Sequence, residues 1–261
     1  MLTRLHTHLV ISARCIRTTS RCLLVCLVAA STVADTRLHV ATASNFLVPL
    51  QQLSGAFETE HDVDLVVTSH SSGKLYAQIV QGAPFDVFLS ADAERPRRLA
   101  AEGHARDDAV FTYALGRLAL WSAHPRYAAE GIDADTLRRS PPRKIAIANP
   151  RLAPYGAAAR EVLERWNLWS ALSGRIVLGE NVAQAYMLTA SGNAEVGIVA
   201  LSQVRQRREG VHWEVPASAH KPIRQDGAIL SDHPLARTFV DYLQSDSARS
   251  VLRELGYATS P

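Results

Sequence analysis

The chain has 261 residues and a formal net charge of +3, and its basic excess is confined to one end. The first 34 residues contain four arginines, no acidic residue and all three cysteines, so the remaining 227 residues have 24 basic and 25 acidic side chains and a formal charge of −1. Without a basic excess or a cysteine, this larger part lacks the compositional signature of nucleic-acid or anionic-membrane binding, and thiolate chemistry and zinc–cysteine sites are excluded.

The first 34 residues have the composition of a secretory signal peptide. A basic stretch precedes the apolar run CLLVCLVAA. This run is about nine residues long, far short of the roughly 20 that span a bilayer, so it does not predict a permanent membrane anchor. Small residues follow it, and the tripeptide TVA predicts cleavage after Ala34.

The next segments alternate between short β-rich runs and longer runs with helical periodicity. Strands are predicted at LHVATA, VDLVVTS and DVFLSA, with a long strand-like run at YALGRLALWSA. Helices are predicted from Phe46 to Phe57, at KLYAQIVQG and from Ala93 to Glu102. Because strands and helices alternate at this spacing, we expect parallel strands with crossover helices.

A second set of elements follows the polar loop GIDADTLRRSPPR, which is predicted to separate the two halves of the chain. Its strands are predicted at KIAIANP, RIVLGEN and EVGIVALSQV, and its helices at GAAAREVLERWNLW and VAQAYMLTASG. A single closing helix is predicted in LARTFVDYLQSDSARSVLREL, from Leu235 onwards. It has no strand set of its own, so we expect it to return to the first lobe.

These elements predict an α/β fold of two lobes, each of about 100 residues and each built as a mostly parallel sheet flanked by helices. After the signal peptide (residues 1–34), lobe 1 is expected to comprise residues 35–117 and, after a return crossing, residues 221–261. Lobe 2 is expected to comprise residues 118–220.

Four junctions in this pattern have neutral hydrogen-bond donors where a strand ends and the next helix begins. In open α/β sheets, ligands bind beyond the carboxyl ends of the strands, where the free N–H groups of a helix N-terminus favour an anion. Ser and Asn are also common helix N-caps, and Tyr155 could instead be a packed loop aromatic, so a purely structural role stays open. The four junctions are Ser44 with Asn45, Ser71 to Gly73, Tyr155 with Gly156, and Asn181 with Val182.

Other chemistries have weaker signals. Gly73-Lys74 lacks the preceding glycine and the following hydroxyl residue of a phosphate-binding loop, so no nucleotide site is predicted. The eight histidines after residue 34 have no metal-ligand spacing. No GxSxG elbow occurs, but a secreted hydrolase with Ser72 as its nucleophile stays an alternative.

Four stretches carry a resemblance to a known family that covers nearly all of the chain after the leader. They are VATASNF, SSGKLYAQIVQGAPFDVFLSAD, ANPRLAPYGAAAREVL and GENVAQAYMLTASGNAEVGIVALSQ. In these stretches the sequence resembles the ModA family, the periplasmic molybdate-binding proteins of bacterial molybdate ABC transporters. The resemblance implies a two-lobed, type II solute-binding protein with its ligand in the inter-lobe cleft. It implies ligand contacts at Ser44, Asn45, Ser72, Tyr155 and Val182.

The sequence departs from one branch of this family at two positions. That branch has PAG where this chain has PYG, and a tyrosine where this chain has Ala200. The chain resembles the other branch, in which Tyr155 supplies the phenol from a different place.

The resemblance also implies partners and a location. It implies that a monomer in the periplasm binds molybdate, and also tungstate, and delivers it to the inner-membrane permease of an ABC transporter. No enzymatic activity, no cofactor, no nucleic acid and no side chain that coordinates a metal cation directly are expected. One alternative is the same fold with sulfate or another tetrahedral oxyanion as its ligand, and the other is the secreted hydrolase that uses Ser72.

Overall fold

The computed structural model describes residues 36–105 and 107–258. The predicted signal peptide and its cleavage site after Ala34 lie outside these ranges. Within them, none of the helices combines the length and the apolar character that crossing a bilayer requires.

The first sheet has five strands, which are β1 (Arg37–Ala43), β2 (Asp64–His70), β3 (Val87–Leu89), β4 (Val110–Gly116) and β10 (Ile223–Ile229). Their spatial order is β2-β1-β3-β10-β4. β1 pairs in parallel with β2 and β3, whereas β10 lies antiparallel between β3 and β4. Four of these five strands therefore run in one direction, and their carboxyl ends meet at one edge of the sheet.

The second sheet repeats this arrangement. Its strands are β5 (Leu118–Ser122), β6 (Ile145–Ala148), β7 (Ile176–Gly179), β8 (Val196–Ala200) and β9 (Val211–Glu214). Their order is β7-β6-β8-β5-β9, with β6 parallel to β7 and β8, and β5 antiparallel to β8 and β9. Again one strand opposes the other four.

Eleven α-helices cover the two sheets in the described part of the chain. With the first sheet, α1–α3, α10 and α11 form lobe 1; with the second sheet, α4–α9 form lobe 2. The helices are α1 (Leu47–His61), α2 (Ser72–Val80), α3 (Glu94–Ala101), α4 (Pro125–Glu130), α5 (Ala134–Arg139), α6 (Pro154–Arg165), α7 (Trp169–Leu172), α8 (Val182–Ala190), α9 (Leu201–Val204), α10 (Pro234–Leu243) and α11 (Asp246–Glu254).

One face of α1 holds lobe 1 together. Leu50, Leu53 and Phe57 are three and four residues apart, so they lie on the same face of the helix, and all three are buried. Phe57 packs edge-on against Phe239 of α10, with ring centroids 5.1 Å apart. The C-terminal segment therefore packs on lobe 1, although β10 is separated from β4 along the chain by the whole of lobe 2.

The predicted class, two α/β lobes with mostly parallel sheets, is confirmed, but two details of the element assignment were wrong. The single closing helix is two helices, because the hydroxyl of Ser245 accepts from the N–H of Ala248 at 3.3 Å and begins α11. The strand-like run from Tyr113 is two strands, one in each sheet, because the chain crosses between the lobes at Arg117. Each sheet has one strand that opposes the other four, β10 in the first and β5 in the second, as a mostly parallel sheet allows.

The polar segment GIDADTLRRSPPR does not separate the lobes. It contains α5, whose first turn is capped by Asp133, since this carboxylate accepts from the N–H of Thr136 at 2.6 Å. Leu137 of the same helix is fully buried in the core of lobe 2. A polar composition therefore concealed a short helix with one apolar anchor.

We expect Ser245→Ala to lower the free energy of unfolding by about 1 kcal/mol, the usual cost of losing an N-cap. Urea unfolding followed by circular dichroism measures this difference. The matched control is Ser250→Ala, an exposed position inside the same helix, where alanine should leave stability unchanged or slightly higher. Equal stability of the two variants would contradict the capping role.

Candidate functional site

A small cavity lies where strand ends and helix starts of the two lobes face each other. Its volume is about 10 Å³. All five residues predicted as ligand contacts lie in its lining, and their role as contacts stays a prediction. Ser71 is the only other lining residue with a polar side chain. The lining consists of Ala43, Ser44, Asn45, Ser71, Ser72, Ala91, Ala153, Pro154, Tyr155 and Val182.

Lobe 1 presents donors from the turn after β1 and from the start of α2. Among the described residues, the hydroxyl of Ser44 and the backbone N–H groups of Asn45 and Ser72 have no hydrogen-bond partner. The Ser72 hydroxyl accepts from the N–H of Ala91 at 2.9 Å, so its own proton stays available. These groups can all donate toward the cavity.

Lobe 2 presents donors from the starts of α6 and α8. Pro154 occupies the first turn of α6 and has no N–H, so the first backbone donor of that helix is Tyr155, which has no acceptor in the described part of the chain. At α8, the side chain of Asn181 accepts from the N–H of Gln184 at 3.0 Å. This cap leaves the N–H of Val182 without an acceptor among the described residues.

The structure separates the ligand and cap interpretations of these residues. Ser71 stands at the N-cap position of α2, yet its hydroxyl makes no capping hydrogen bond, and Ser44 precedes the N-cap residue of α1. Asn181 does cap its helix. The cap interpretation is therefore correct at one junction and wrong at Ser71.

The site is neutral in its side chains and positive in its dipoles. No Arg, Lys, His, Asp or Glu appears in the cavity lining. Three helices direct their N-termini at it, and each carries partial positive charge there. No group of three or more His, Cys, Asp or Glu in the described ranges could hold a metal ion. The arrangement is suited to an anion that only accepts hydrogen bonds.

Gly73 brings the two lobes into contact beside the cavity. Its N–H donates to the carbonyl of Leu152, in lobe 2, at 3.0 Å. A Cβ atom at position 73 would lie 2.9 Å from that carbonyl oxygen, closer than a carbon normally approaches. The glycine at this position thus allows the other lobe's backbone to approach.

A buried hydrogen-bond network lies behind the cavity, centred on the side chain of Gln225 in β10. Its Oε1 lies 2.9 Å from Nδ2 of Asn45 and 3.0 Å from the hydroxyl of Tyr113, and its Nε2 lies 3.0 Å from the hydroxyl of Tyr155. The hydroxyl of Tyr257 lies 3.1 Å from Nδ2 of Asn45. Gln225, Tyr113 and Tyr257 come from distant segments and belong to no local motif, so the amino-acid sequence alone does not predict their place at this site.

Burial shifts the acid–base properties of these phenols. The pKa of Tyr155 and that of Tyr113 are raised well above the usual value, mainly because burial disfavours the phenolate. Burial also raises the pKa of Tyr257 to about 12, although hydrogen bonds from Ser202 and Asn45 oppose the shift. All three phenols are therefore protonated donors at neutral pH.

Tyr155 is both packed and available to a ligand. Its side chain is 2% exposed, its oxygen accepts from Nε2 of Gln225, and the residue belongs to the cavity lining. Ala200, where the other branch has tyrosine, is fully buried and is not part of the lining. Ser72 has no histidine or carboxylate hydrogen-bonded to its hydroxyl in the described part of the chain, so the hydrolase alternative lacks a base there.

Known proteins are similar to this chain in sequence and in fold. The chain is 40% identical over 222 residues to the molybdate-binding protein ModA of Rhodobacter capsulatus. This match covers 84% of this chain and 87% of that protein. It is 41% identical over 226 residues to ModA of Azotobacter vinelandii, with coverage of 84% and 89%. The solved structure of the periplasmic molybdate-binding protein of Azotobacter vinelandii matches with a TM-score of 0.81 at 40% identity, covering 86% of this chain and 100% of that one.

A fold of two α/β lobes with a donor-lined cavity between them defines a solute-binding protein. The family described as bacterial extracellular solute-binding protein matches residues 38–258. The chain therefore belongs to the bacterial extracellular solute-binding proteins and, among them, to the ModA family, which confirms the resemblance found in its sequence.

We expect the buried phenols to make the protein sensitive to alkali. A tyrosine whose pKa is higher in the folded state than its unfolded value of about 10 contributes stability below pH 10 and loses it as the pH rises through the folded pKa. The free energy of unfolding should therefore fall between about pH 10 and pH 12, the latter being the pKa of Tyr257. Urea unfolding at successive pH values measures the decline. Tyr155→Phe removes one of these groups, so the slope should become shallower, and an unchanged slope would contradict the assignment.

Proposed function

We propose that this protein binds molybdate, and also tungstate, in the cavity between its lobes and delivers the anion to the permease of an ABC transporter. The observation that carries the proposal is the lining itself, in which hydroxyl and N–H donors converge without a charged side chain. The names of the relatives support the same ligand. The proposed contacts are the donors of Ser44, Asn45, Ser72, Tyr155 and Val182.

The chemistry of molybdate fits a site made only of donors. Molybdate is a tetrahedral dianion without a proton at neutral pH, so all its oxygens accept. Its charge is compensated by the helix N-termini, each contributing up to about 2 kcal/mol in a buried geometry. No cofactor and no countercharge belong to the proposal.

The same chemistry selects against phosphate and, less strongly, against sulfate. Hydrogen phosphate has a proton to donate, and a cavity without an acceptor leaves it unpaired at a cost of roughly 1 to 3 kcal/mol. Sulfate has no proton, so it is excluded only by size: its shorter bonds leave some donors too far away. Sulfate is therefore the alternative ligand that an experiment must test.

Closure of the lobes is part of the proposed mechanism. A cavity of about 10 Å³ has the size of about one water molecule. An oxyanion of five atoms does not fit this volume, so it enters with the lobes apart and is then held between donors from both lobes, which stabilise the ligand-bound form. The permease would recognise that form. We propose that the protein acts as a periplasmic monomer and catalyses no reaction.

A panel of oxyanions tests the proposal. Micromolar molybdate and tungstate should raise the melting temperature of the mature chain, whereas phosphate at equal concentration should not. At 100 times the dissociation constant, the ligand should add about 2.7 kcal/mol to the free energy of unfolding. Isothermal titration then gives the affinities. No shift with either metal oxyanion would overturn the proposal, and a larger shift with sulfate would favour the alternative ligand.

Gly73→Ala tests the role of lobe closure in binding. The added methyl group would lie 2.9 Å from the carbonyl oxygen of Leu152 and prevent the last step of closure. We expect about tenfold weaker molybdate binding, or about 1.4 kcal/mol, while the ligand-free protein stays at least as stable, because alanine favours helix α2 when the lobes are apart.

The matched control is Gly55→Ala, in the middle of α1, where a Cβ meets nothing within 4 Å. This substitution should raise stability by roughly 0.5 to 1 kcal/mol through helix propensity and leave affinity unchanged. If Gly73→Ala binds molybdate as tightly as the unmodified protein, the contact between Gly73 and Leu152 is absent from the ligand-bound state.

A further inference from the structure

Gln225 is a polar residue of β10, the strand with which the chain returns to lobe 1; it is fully buried and does not itself line the cavity. We propose that Gln225 is a positioning residue that sets the direction in which the Tyr155 hydroxyl donates, and that it thereby excludes oxyanions that carry a proton. This inference rests on the proposed function, since it explains how that site distinguishes among tetrahedral dianions.

The donor and acceptor roles of the side chains in this network follow from one backbone carbonyl, which can only accept. The hydroxyl of Tyr257 lies 2.8 Å from the carbonyl oxygen of Asn45, which can only accept, so Tyr257 donates there. Its oxygen then accepts from the hydroxyl of Ser202 and from Nδ2 of Asn45, both at 3.1 Å. The amide orientation of Asn45 follows from these bonds.

The orientation of Asn45 determines that of Gln225. The second hydrogen on Nδ2 of Asn45 points to the atom of Gln225 at 2.9 Å, which must therefore be the acceptor Oε1. Tyr113 is 3.0 Å from the same oxygen and 2.8 Å from the carbonyl of Ser90, so its hydroxyl also faces acceptors. Since Oε1 of Gln225 faces Asn45 and Tyr113, the other atom of its amide group, the donor Nε2, faces Tyr155.

Nε2 of Gln225 donates to the oxygen of Tyr155 at 3.0 Å. Because that lone pair is used, the phenolic proton of Tyr155 lies on the side away from Gln225, which the proposal assigns to the bound anion. Gly116, the last residue of β4, lets Tyr155 and Gln225 approach each other. A Cβ at this position would collide with the Tyr155 hydroxyl and would lie 2.6 Å from Nε2 of Gln225. The result is a phenol held as a donor toward the ligand.

Gln225→Glu reverses this direction with almost no change in shape. The new carboxylate accepts from Asn45 on one side and from the Tyr155 hydroxyl on the other, so the phenolic proton turns away from the cavity. The Tyr155 oxygen then presents a lone pair to the ligand. Molybdate and sulfate lose a donor, whereas hydrogen phosphate gains an acceptor for its proton.

The test is isothermal titration at pH 8 and pH 9 with molybdate, sulfate and hydrogen phosphate, the last also by competition against molybdate. All three anions are dianions there, so repulsion by the new carboxylate weakens them alike and cancels in affinity ratios. We expect Gln225→Glu to lower the molybdate-to-phosphate ratio at least tenfold and to leave the molybdate-to-sulfate ratio much less affected.

As a control, Gln225→Glu is also measured in a protein that carries Tyr155→Phe. Without the phenolic oxygen, Gln225→Glu should no longer change the molybdate-to-phosphate ratio. An unchanged ratio in the single variant, or an equal change in the Tyr155→Phe background, would overturn the role of Gln225. Failure of the unmodified protein to bind molybdate would instead overturn the proposed function.

Gln225→Met keeps the test decisive if the carboxylate prevents folding. Methionine is neutral and similar in length, and it cannot donate to Tyr155, so the phenolic proton is no longer directed. The molybdate-to-phosphate ratio should fall in the same direction by a smaller factor, and again only when Tyr155 is present. A ratio equal to that of the unmodified protein would also refute the role of Gln225.

Discussion

The site depends on one constraint: the first backbone N–H groups of a helix need hydrogen-bond acceptors that the helix itself does not provide. The first N–H groups of an α-helix have no acceptor within the helix, and a buried donor left unpaired costs roughly 1 to 3 kcal/mol. At Ser72, Tyr155 and Val182 these groups lack an acceptor in the described chain and line one cavity. In the proposed function an oxyanion would supply the missing acceptors to all three helices at once, so the site would need no charged side chain to hold a dianion.

Three hydrogen bonds near the cavity connect the lobes to each other. Gly73 bonds to Leu152 across the cleft, Gln225 of lobe 1 bonds to Tyr155 of lobe 2, and Ser202 of lobe 2 bonds to Tyr257 of lobe 1. Each of these bonds requires the lobes to be close together. A ligand that uses donors from both lobes therefore favours the arrangement in which these bonds also form, so binding and closure are parts of one equilibrium.

Local patterns predicted most of the elements and the five candidate contacts, because strand ends, helix starts and their polar residues are contiguous in sequence. They could not predict β10, since its partners β3 and β4 lie far away along the chain and its polar residues Gln225 and Asp226 are fully buried. The split at Ser245 was missed because the helical periodicity continues across it. Gln225 itself has no motif, and its importance depends on side chains from three other segments that only the tertiary structure brings together.

The position of the phenol determines what must surround it. Ala200 is fully buried at the end of β8 and lies outside the cavity lining. The phenol comes instead from the first turn of α6, beside the crossing strand, where Gly116 has no side chain to obstruct it. At this place its nearest amide, Gln225, belongs to the other lobe. The hydrogen bond that is proposed to orient Tyr155 is consequently also one of the bonds that connect the two lobes.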